Sequence, residues 1–276
     1  MSIFEAIVLG IIQGITEFLP ISSTAHLTIT GQWLKLISTE HPQHWTAFIA
    51  VIQLGTMLAV LAYFFKDLWH ITIGFFVDGA AYLKSPSNGL GKAKLGWLII
   101  VGTIPVVIFG LTFKNIIEGN LTKSIPVIAT SLIVLALILW LAENIGKRTR
   151  TLNDANWIDA LVIGFAQSLA LIPGSSRSGT TITAGLLMGM NREDAARFSF
   201  LLSVPAVLAS GLLEMYEMRG FIGEVGVISV VAATIASGIV GYLAIDFLLK
   251  YLRTHNTYIF IVYRIVLGIG LIILWI

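Results

Sequence analysis

The chain has 276 residues, of which 57% are hydrophobic and only 12% charged, roughly half the charge of an ordinary soluble domain. That balance puts it in a bilayer, and a net charge of +2 carried largely in loops argues against a nucleic-acid partner. With no cysteine, a disulfide framework, a cysteine metal site and a thiol nucleophile are excluded.

No basic leader precedes the first apolar stretch, whose nearby charges are Glu5 and Glu17, so it is expected to be retained as a helix. Ala6, Gly10 and Gly14 recur there at helical spacing, on a face that can approach another helix closely. Gln13 and Glu17 lie on the same side. Gln13 alone reads as an interhelical hydrogen bond. Glu17 reads differently, because a carboxylate beside Phe18, Leu19 and Pro20 at the inner end of an apolar helix is costly unless it is paired or faces a water-filled cavity. The chain breaks at Pro20 and continues Ile21-Ser22-Ser23-Thr24-Ala25-His26, gathering an acid, three hydroxyls and an imidazole. Ser22, Ser23 and Thr24 can cap the next helix, a role compatible with catalysis.

Uncharged runs follow at 46–65, 96–113, 124–142, 225–245 and 257–276, each near the ~20 residues that cross a hydrocarbon core. Shorter runs occupy 157–172 and 198–213. Backbone amides in lipid must be satisfied internally, and these runs lack period-2 alternation, so they are read as helices and not barrel strands. The expected fold is all-α, a polytopic helical bundle forming one transmembrane domain over 1–276. If the runs cross in order, Lys84, Lys92, Lys94, Lys147, Arg148, Arg150, Arg192, Lys250 and Arg253 share one side, which the positive-inside rule makes cytoplasmic. Lys114, Lys123 and Arg219 lie opposite, offset by Glu118, Glu217 and Glu224, so Ile276 is expected outside. Trp33, Trp45, Trp97, Trp140 and Trp157 read as an interfacial aromatic belt, His41 and His44 as solvated, and Glu143 as interfacial. Asp246 is expected to pair with Lys250 one turn on.

A second loop reads Pro173-Gly174-Ser175-Ser176-Arg177-Ser178-Gly179-Thr180-Thr181, ahead of the apolar segment Ile182 to Met190. A glycine-flanked loop opening a helix can cradle an anion with its amides. Arg177 strengthens that reading, since its planar fork suits bidentate phosphate binding. Ala6, Gly10, Gln13 and Gly14 match Ala160, Gly164, Gln167 and Ser168 at identical spacing, and Pro20, Ser22 and Ser23 match Pro173, Ser175 and Ser176 after a one-residue slip. This reads as an internal repeat with halves near 1–65 and 156–215, an inverted pair being the form that places a site where interrupted helices meet. In that alignment Glu17 faces Leu171, Thr24 faces Arg177 and His26 faces Gly179, so each half supplies what the other lacks. An anion held by Arg177 and the Ser175 to Gly179 amides could then meet a nucleophile and a proton carrier from the first loop, which points to phosphoryl transfer.

At these residues the chain resembles the bacterial undecaprenyl-diphosphate phosphatase family, also called bacitracin-resistance proteins. The family's first motif is present as Gln13, Glu17, Pro20, Ser22, Ser23 and His26, and its second as Pro173, Gly174, Ser176, Arg177, Ser178, Gly179 and Thr181. Gln53-Leu54-Gly55, Arg197 to Leu202 and Val204-Pro205 extend the likeness over nearly the whole chain. The resemblance implies two re-entrant helix pairs in a bacterial cytoplasmic membrane, with an outward-facing site. It also implies hydrolysis of a C55 polyprenyl diphosphate to the monophosphate carrier of cell-wall synthesis, with a divalent cation, Mg²⁺ or Ca²⁺. Carried over, Glu17 is the essential acid, Arg177 the phosphate clamp, and Ser23 and His26 the candidates for nucleophile and proton transfer. Ser23 is the preferred nucleophile, activated by His26 or Glu17, and the opposite assignment stays open. Ser22, Thr24, Ser175, Ser176, Ser178, Gly179 and Thr181 are expected to line the phosphate site. Glu17 with Gln13 is the expected cation ligand set, weakened because Gln13 stands where some members carry Glu. Membrane lipids are the other partner, and a homo-oligomer is left open. The rival classes are a transporter or lipid flippase, which needs an anion site but no nucleophile, and acid-phosphatase-like lipid phosphatases, which use two histidines where these loops hold one.

Overall fold

A computed structural model describes residues 1–38, 40–84, 93–119 and 124–275. Its helices are α1 (Ile3–Phe18), α2 (Ser23–Trp33), α3 (Pro42–Tyr63), α4 (Phe65–Lys84), α5 (Ala93–Thr112), α6 (Lys114–Glu118), α7 (Ile125–Ile145), α8 (Trp157–Ser168), α9 (Arg177–Leu187), α10 (Arg192–Met218), α11 (Ile222–Val225), α12 (Val227–Thr254) and α13 (Tyr258–Trp275). No strand occurs among the described residues, and the fold is all-α as expected. Six helices, α3, α5, α7, α10, α12 and α13, are long and apolar enough to cross a membrane, which makes this a multi-pass protein. The 198–213 run proves to be the middle of α10, whose polar ends hid its length. The expectations for Lys92, Lys123 and Ile276, and for the side chains of Lys84, Glu118 and Glu224, fall outside the described residues.

Two pairs of shorter helices form hairpins. The first, α1 and α2, starts where a capping box ties Ser2 to Glu5, with the Ser2 amide 2.7 Å from Glu5 Oε2. Ser229 Oγ on α12 donates to the Met1 carbonyl at 3.2 Å, and Met1 packs against the apolar cluster that includes Met218. The second, α8 and α9, is pinned at its open end by Arg150. Its guanidinium holds Asp159 on α8 at 2.5 Å, and its backbone bonds Gly189 and Asn191 just past α9. Because α10 begins beside that pin and ends beside Met1, the hairpins enter from opposite ends of the bundle. Their tips meet inside it, where Ser178 Oγ donates to the Leu19 carbonyl at 3.1 Å.

Small residues allow this approach. A Cβ on Gly10 would overlap the Ala233 carbonyl of α12, and one on Gly164 would overlap the Gly102 carbonyl of α5. Arg148 and Arg192 both pair with Glu143, and Arg253 pairs with Glu193 at 2.8 Å, so these cations share the end where α8 and α9 open. Lys114 pairs with Glu217 at 2.7 Å at the opposite end.

Glu143 is buried at the end of the bundle that bears Arg148 and Arg192, and besides those two arginines it accepts from the Thr257 hydroxyl at 2.8 Å, tying α7 to α10 and to the residue before α13. Two expectations are corrected. Trp45 belongs to the core and not to an aromatic belt, its ring filling the space above Gly31. His44 stacks on Phe221 with ring centroids 3.7 Å apart, and is half-buried, not solvated. The Asp246–Lys250 pair forms as expected, at 2.7 Å, with Tyr63 as an added donor.

Candidate active site

Glu17 sits in the last turn of α1, buried, with four donors on its two oxygens. Oε1 accepts from Arg177 Nη2 at 2.8 Å and Gln53 Nε2 at 2.6 Å. Oε2 accepts from Ser23 Oγ at 2.8 Å and Gln13 Nε2 at 3.0 Å. Three of these partners come from α1, α2 and α3, and the guanidinium comes from the opposed hairpin. Taking such an ion pair out of water costs more than its attraction usually returns, so fold stability alone does not account for it.

Each loop turns into its helix through a serine with positive φ, Ser22 at 76° and Ser176 at 65°. Both serines are N-caps. Ser22 Oγ accepts from the Ala25 amide at 3.3 Å and Ser176 Oγ from the Gly179 amide at 3.1 Å, and each touches the hydroxyl two residues on at 3.2 Å. Ser22 therefore corresponds to Ser176, not to Ser175. The register of Ala6 with Ala160 continues without a slip, and Ser23 and Arg177 occupy the same slot, the first residue of α2 and of α9. Sequence alignment missed this because it matched the prolines, whereas the backbone matches the capping serines.

A cavity of about 350 Å³ opens at the hairpin tips, within the usual range for ligand sites. Glu17, Ser23, Thr24, Ser176 and Arg177 line it, joined by Gln53 and Gln167. The other expected phosphate ligands lie behind its wall. Ser22 and Ser175 are fully buried, and the Ser175 amide is bonded to the Ile172 carbonyl. Ser178 donates to Leu19, and the Thr181 hydroxyl is 2.6 Å from that of Ser199. The Gly179 amide is spent on its cap. The first and last amides of the cradle expected over Ser175 to Gly179 are thus engaged within the loop, and the side chains of Ser23, Thr24, Ser176 and Arg177 face the cavity. Arg177 Nε and Nη1 are buried without a partner, as are both amide atoms of Gln167. Unsatisfied buried donors of this kind are costly unless a ligand or water completes them.

His26 does not reach Ser23. Its Nδ1 lies 2.7 Å from the Ser22 carbonyl and its Nε2 2.6 Å from the Tyr263 hydroxyl. The carbonyl can only accept, so Nδ1 carries the proton and Tyr263 donates to Nε2. The neighbouring Arg264, fully buried, donates from Nη2 to the Ser175 carbonyl at 3.0 Å. A Cβ on Gly179 would stand 2.7 Å from Arg264 Nη1, which explains glycine there. One helix thereby contacts both loops. Tyr263 and Arg264 escaped sequence reading, although a lone arginine within the 257–276 run was the available signal.

A resident cation does not fit these residues. Among the described residues, no three His, Asp or Glu side chains converge. Both Glu17 oxygens are engaged by donors, and because Gln13 presents its Nε2 to Glu17, its unpartnered Oε1 points elsewhere.

A family model described as bacitracin resistance protein BacA matches residues 6–270. The undecaprenyl-diphosphatase of Syntrophobacter fumaroxidans is 54% identical over 268 residues, covering 97% of this chain and 95% of that protein. That of Chlorobaculum tepidum is 50% identical over 283 residues, covering 99% and 97%. That of Chlorobium phaeobacteroides is 50% identical over 281 residues, covering 99% and 96%.

Proposed function

The chain belongs to the bacitracin resistance protein BacA family, and from that premise we infer that it is an undecaprenyl-diphosphatase working through the acid, hydroxyl and guanidinium gathered where its two hairpins meet. It converts undecaprenyl diphosphate to the monophosphate and inorganic phosphate, which returns the lipid carrier to cell-wall synthesis and confers bacitracin resistance. The observation that carries the catalytic assignment is Glu17 itself, bonded to Ser23 on one oxygen and to Arg177 on the other.

Ser23 Oγ is the nucleophile. It attacks the terminal phosphorus while Glu17 takes its proton, the bridging P–O bond breaks, and undecaprenyl monophosphate leaves with that proton. Water then attacks the phosphoserine. Glu17 accepts the water's proton and returns it to Ser23 Oγ, releasing phosphate, so atoms and protons balance. Arg177 keeps Nη2 on Glu17 and has unpartnered donors at Nε and Nη1, on separate edges of the guanidinium, to offer the incoming phosphoryl oxygens. As its charge turns to the substrate, Glu17 loses its counter-charge and gains proton affinity when the serine must be deprotonated. His26, occupied at both nitrogens, holds the first loop through Ser22 and Tyr263. The divalent cation belongs with the diphosphate and not with a preformed protein site, and no step here depends on it.

The cavity reaches Lys114 and Glu214, away from the end bearing Arg148, Arg150, Arg192 and Arg253. This supports an outward-facing site in a bacterial cytoplasmic membrane. The opposed entry and shared capping geometry support reading the hairpins as inverted copies. Purified protein should release phosphate from undecaprenyl diphosphate and lose this activity with Arg177→Ala. An unimpaired Arg177→Ala variant, or a wild type that releases none, would refute the assignment.

A further inference from the structure

Beside the catalytic cavity lies a larger hollow of about 690 Å³, walled by α5 to α9. Its lining is almost wholly apolar. The hydroxyls that border it, those of Ser168, Thr180 and Thr183, donate to carbonyls of their own helices at 3.3, 3.0 and 2.6 Å, leaving no donor for a polar ligand. Ile117 and Leu171 line both spaces, so the hollow adjoins the chamber that holds Ser23 and Arg177. Along α7 it extends from Val127 to Ile138, about 16 Å at the helical rise, or roughly half the ~30 Å hydrocarbon core.

We propose that this groove is the subsite for the phosphate-proximal isoprene units of the substrate, and that it makes the enzyme select long-chain lipid diphosphates over short ones. The proposal rests on the function inferred above. A diphosphate drawn to buried hairpin tips cannot leave its chain in the surrounding lipid from the first carbon. The chain must pass between helices, and the groove is an apolar passage that adjoins the chamber. The groove is open to the bilayer along its length, at Ile116, Phe165 and Ile172 near the chamber as well as at Ile138 and Val162 at its far end. A comparable apolar hollow between α3 and α12, lined by Leu58, shares no residue with the catalytic cavity and serves as a control.

The test is KM and kcat for geranyl and undecaprenyl diphosphate with the purified full chain in detergent. The variants are Val162→Trp on α8 and Ile138→Trp on α7, which narrow the groove, and Leu58→Trp. Two isoprene units are too short to reach the far end of the groove, so each groove variant should raise KM for the long substrate about tenfold. It should leave its kcat, and both constants for the short substrate, unchanged. Leu58→Trp should change neither. Equal effects on both substrates, or none on the long one, would overturn the proposal. Geranyl diphosphate turnover reports the catalytic function by itself, and its persistence in every variant shows that they fold. A wild type that releases phosphate from neither substrate sinks the function and the groove's role with it.

Discussion

Replacing Glu17 with glutamine separates the carboxylate's chemistry from its place in the fold. The side chain keeps its volume, and its carbonyl can still accept from Arg177 and Gln53, but it can no longer take a proton from Ser23. A positioned general base contributes about 10²- to 10⁴-fold in rate, or about 2.7–5.4 kcal/mol at about 1.36 kcal/mol per decade. The structural cost is smaller. The new amide meets Gln13 Nε2, and Gln13 can turn its buried, unpartnered Oε1 to accept from it. Arg177 loses its counter-charge, but its side chain is 11% exposed at the cavity wall. The loss therefore stays below the about 3–5 kcal/mol of a sealed pair. Phosphate release should show kcat down by that 10²- to 10⁴-fold, with KM nearly constant and Tm lower by a few degrees. Ser23→Ala should match it, and the double variant should be no worse than either, because the two residues act as a unit. A Glu17→Gln enzyme within tenfold of wild-type kcat, or losses that multiply in the double variant, would refute Glu17 as the base for Ser23.

Tyr263→Phe removes only the hydroxyl on His26 Nε2 and should lower kcat by up to about tenfold, for one hydrogen bond of about 0.5–1.5 kcal/mol. Combined with His26→Gln it should add nothing further, and a trapped phosphoenzyme should carry its phosphate on Ser23; phosphate on His26 would reverse the assignment. Ser22→Gly and Ser176→Gly relieve positive φ angles that cost about 1–3 kcal/mol and lose about 0.5–1 kcal/mol to glycine's flexibility. Tm should hold or rise while kcat falls, and a lower Tm in both variants would show that these angles store no strain. Mg²⁺ alone should leave Tm unchanged but raise it when methylenediphosphonate is present; a shift with Mg²⁺ alone would reveal a resident cation site.

Most of the bundle was legible because its long runs satisfy the simplest constraint in lipid, a helix long enough to cross. The fourth helix was not, since Lys66, Asp67, His70 and Asp78 interrupt its apolar pattern although it continues directly from α3. In the site, Glu17, Ser23 and Arg177 were recognisable from their cost at membrane depth and from the loop signatures. Which hydroxyls face the cavity was not, because Ser22, Ser178 and Thr181 have the same composition as Ser23, Thr24 and Ser176 and differ only in helix phase. Tyr263 and Gln53 act across sequence distances that no local pattern spans. The same holds for the burial of Glu143, whose partners Arg192 and Thr257 arrive from distant parts of the chain.

The corrected register explains why the two hairpins carry different chemistry. Ser23 and Arg177 hold equivalent slots, and both address the one carboxylate that α1 supplies, while the matching position of the second hairpin is Leu171. A second acid there would bury two negative charges against one guanidinium, and the unpaired charge would be costly. The two glutamines follow from the same inequality. Gln13 donates to Glu17 from one turn away. Gln167, its counterpart, has a leucine where that acceptor would be, and its amide is left unpartnered at the cavity wall. The position that steadies the carboxylate in one hairpin is thereby free to meet the diphosphate in the other.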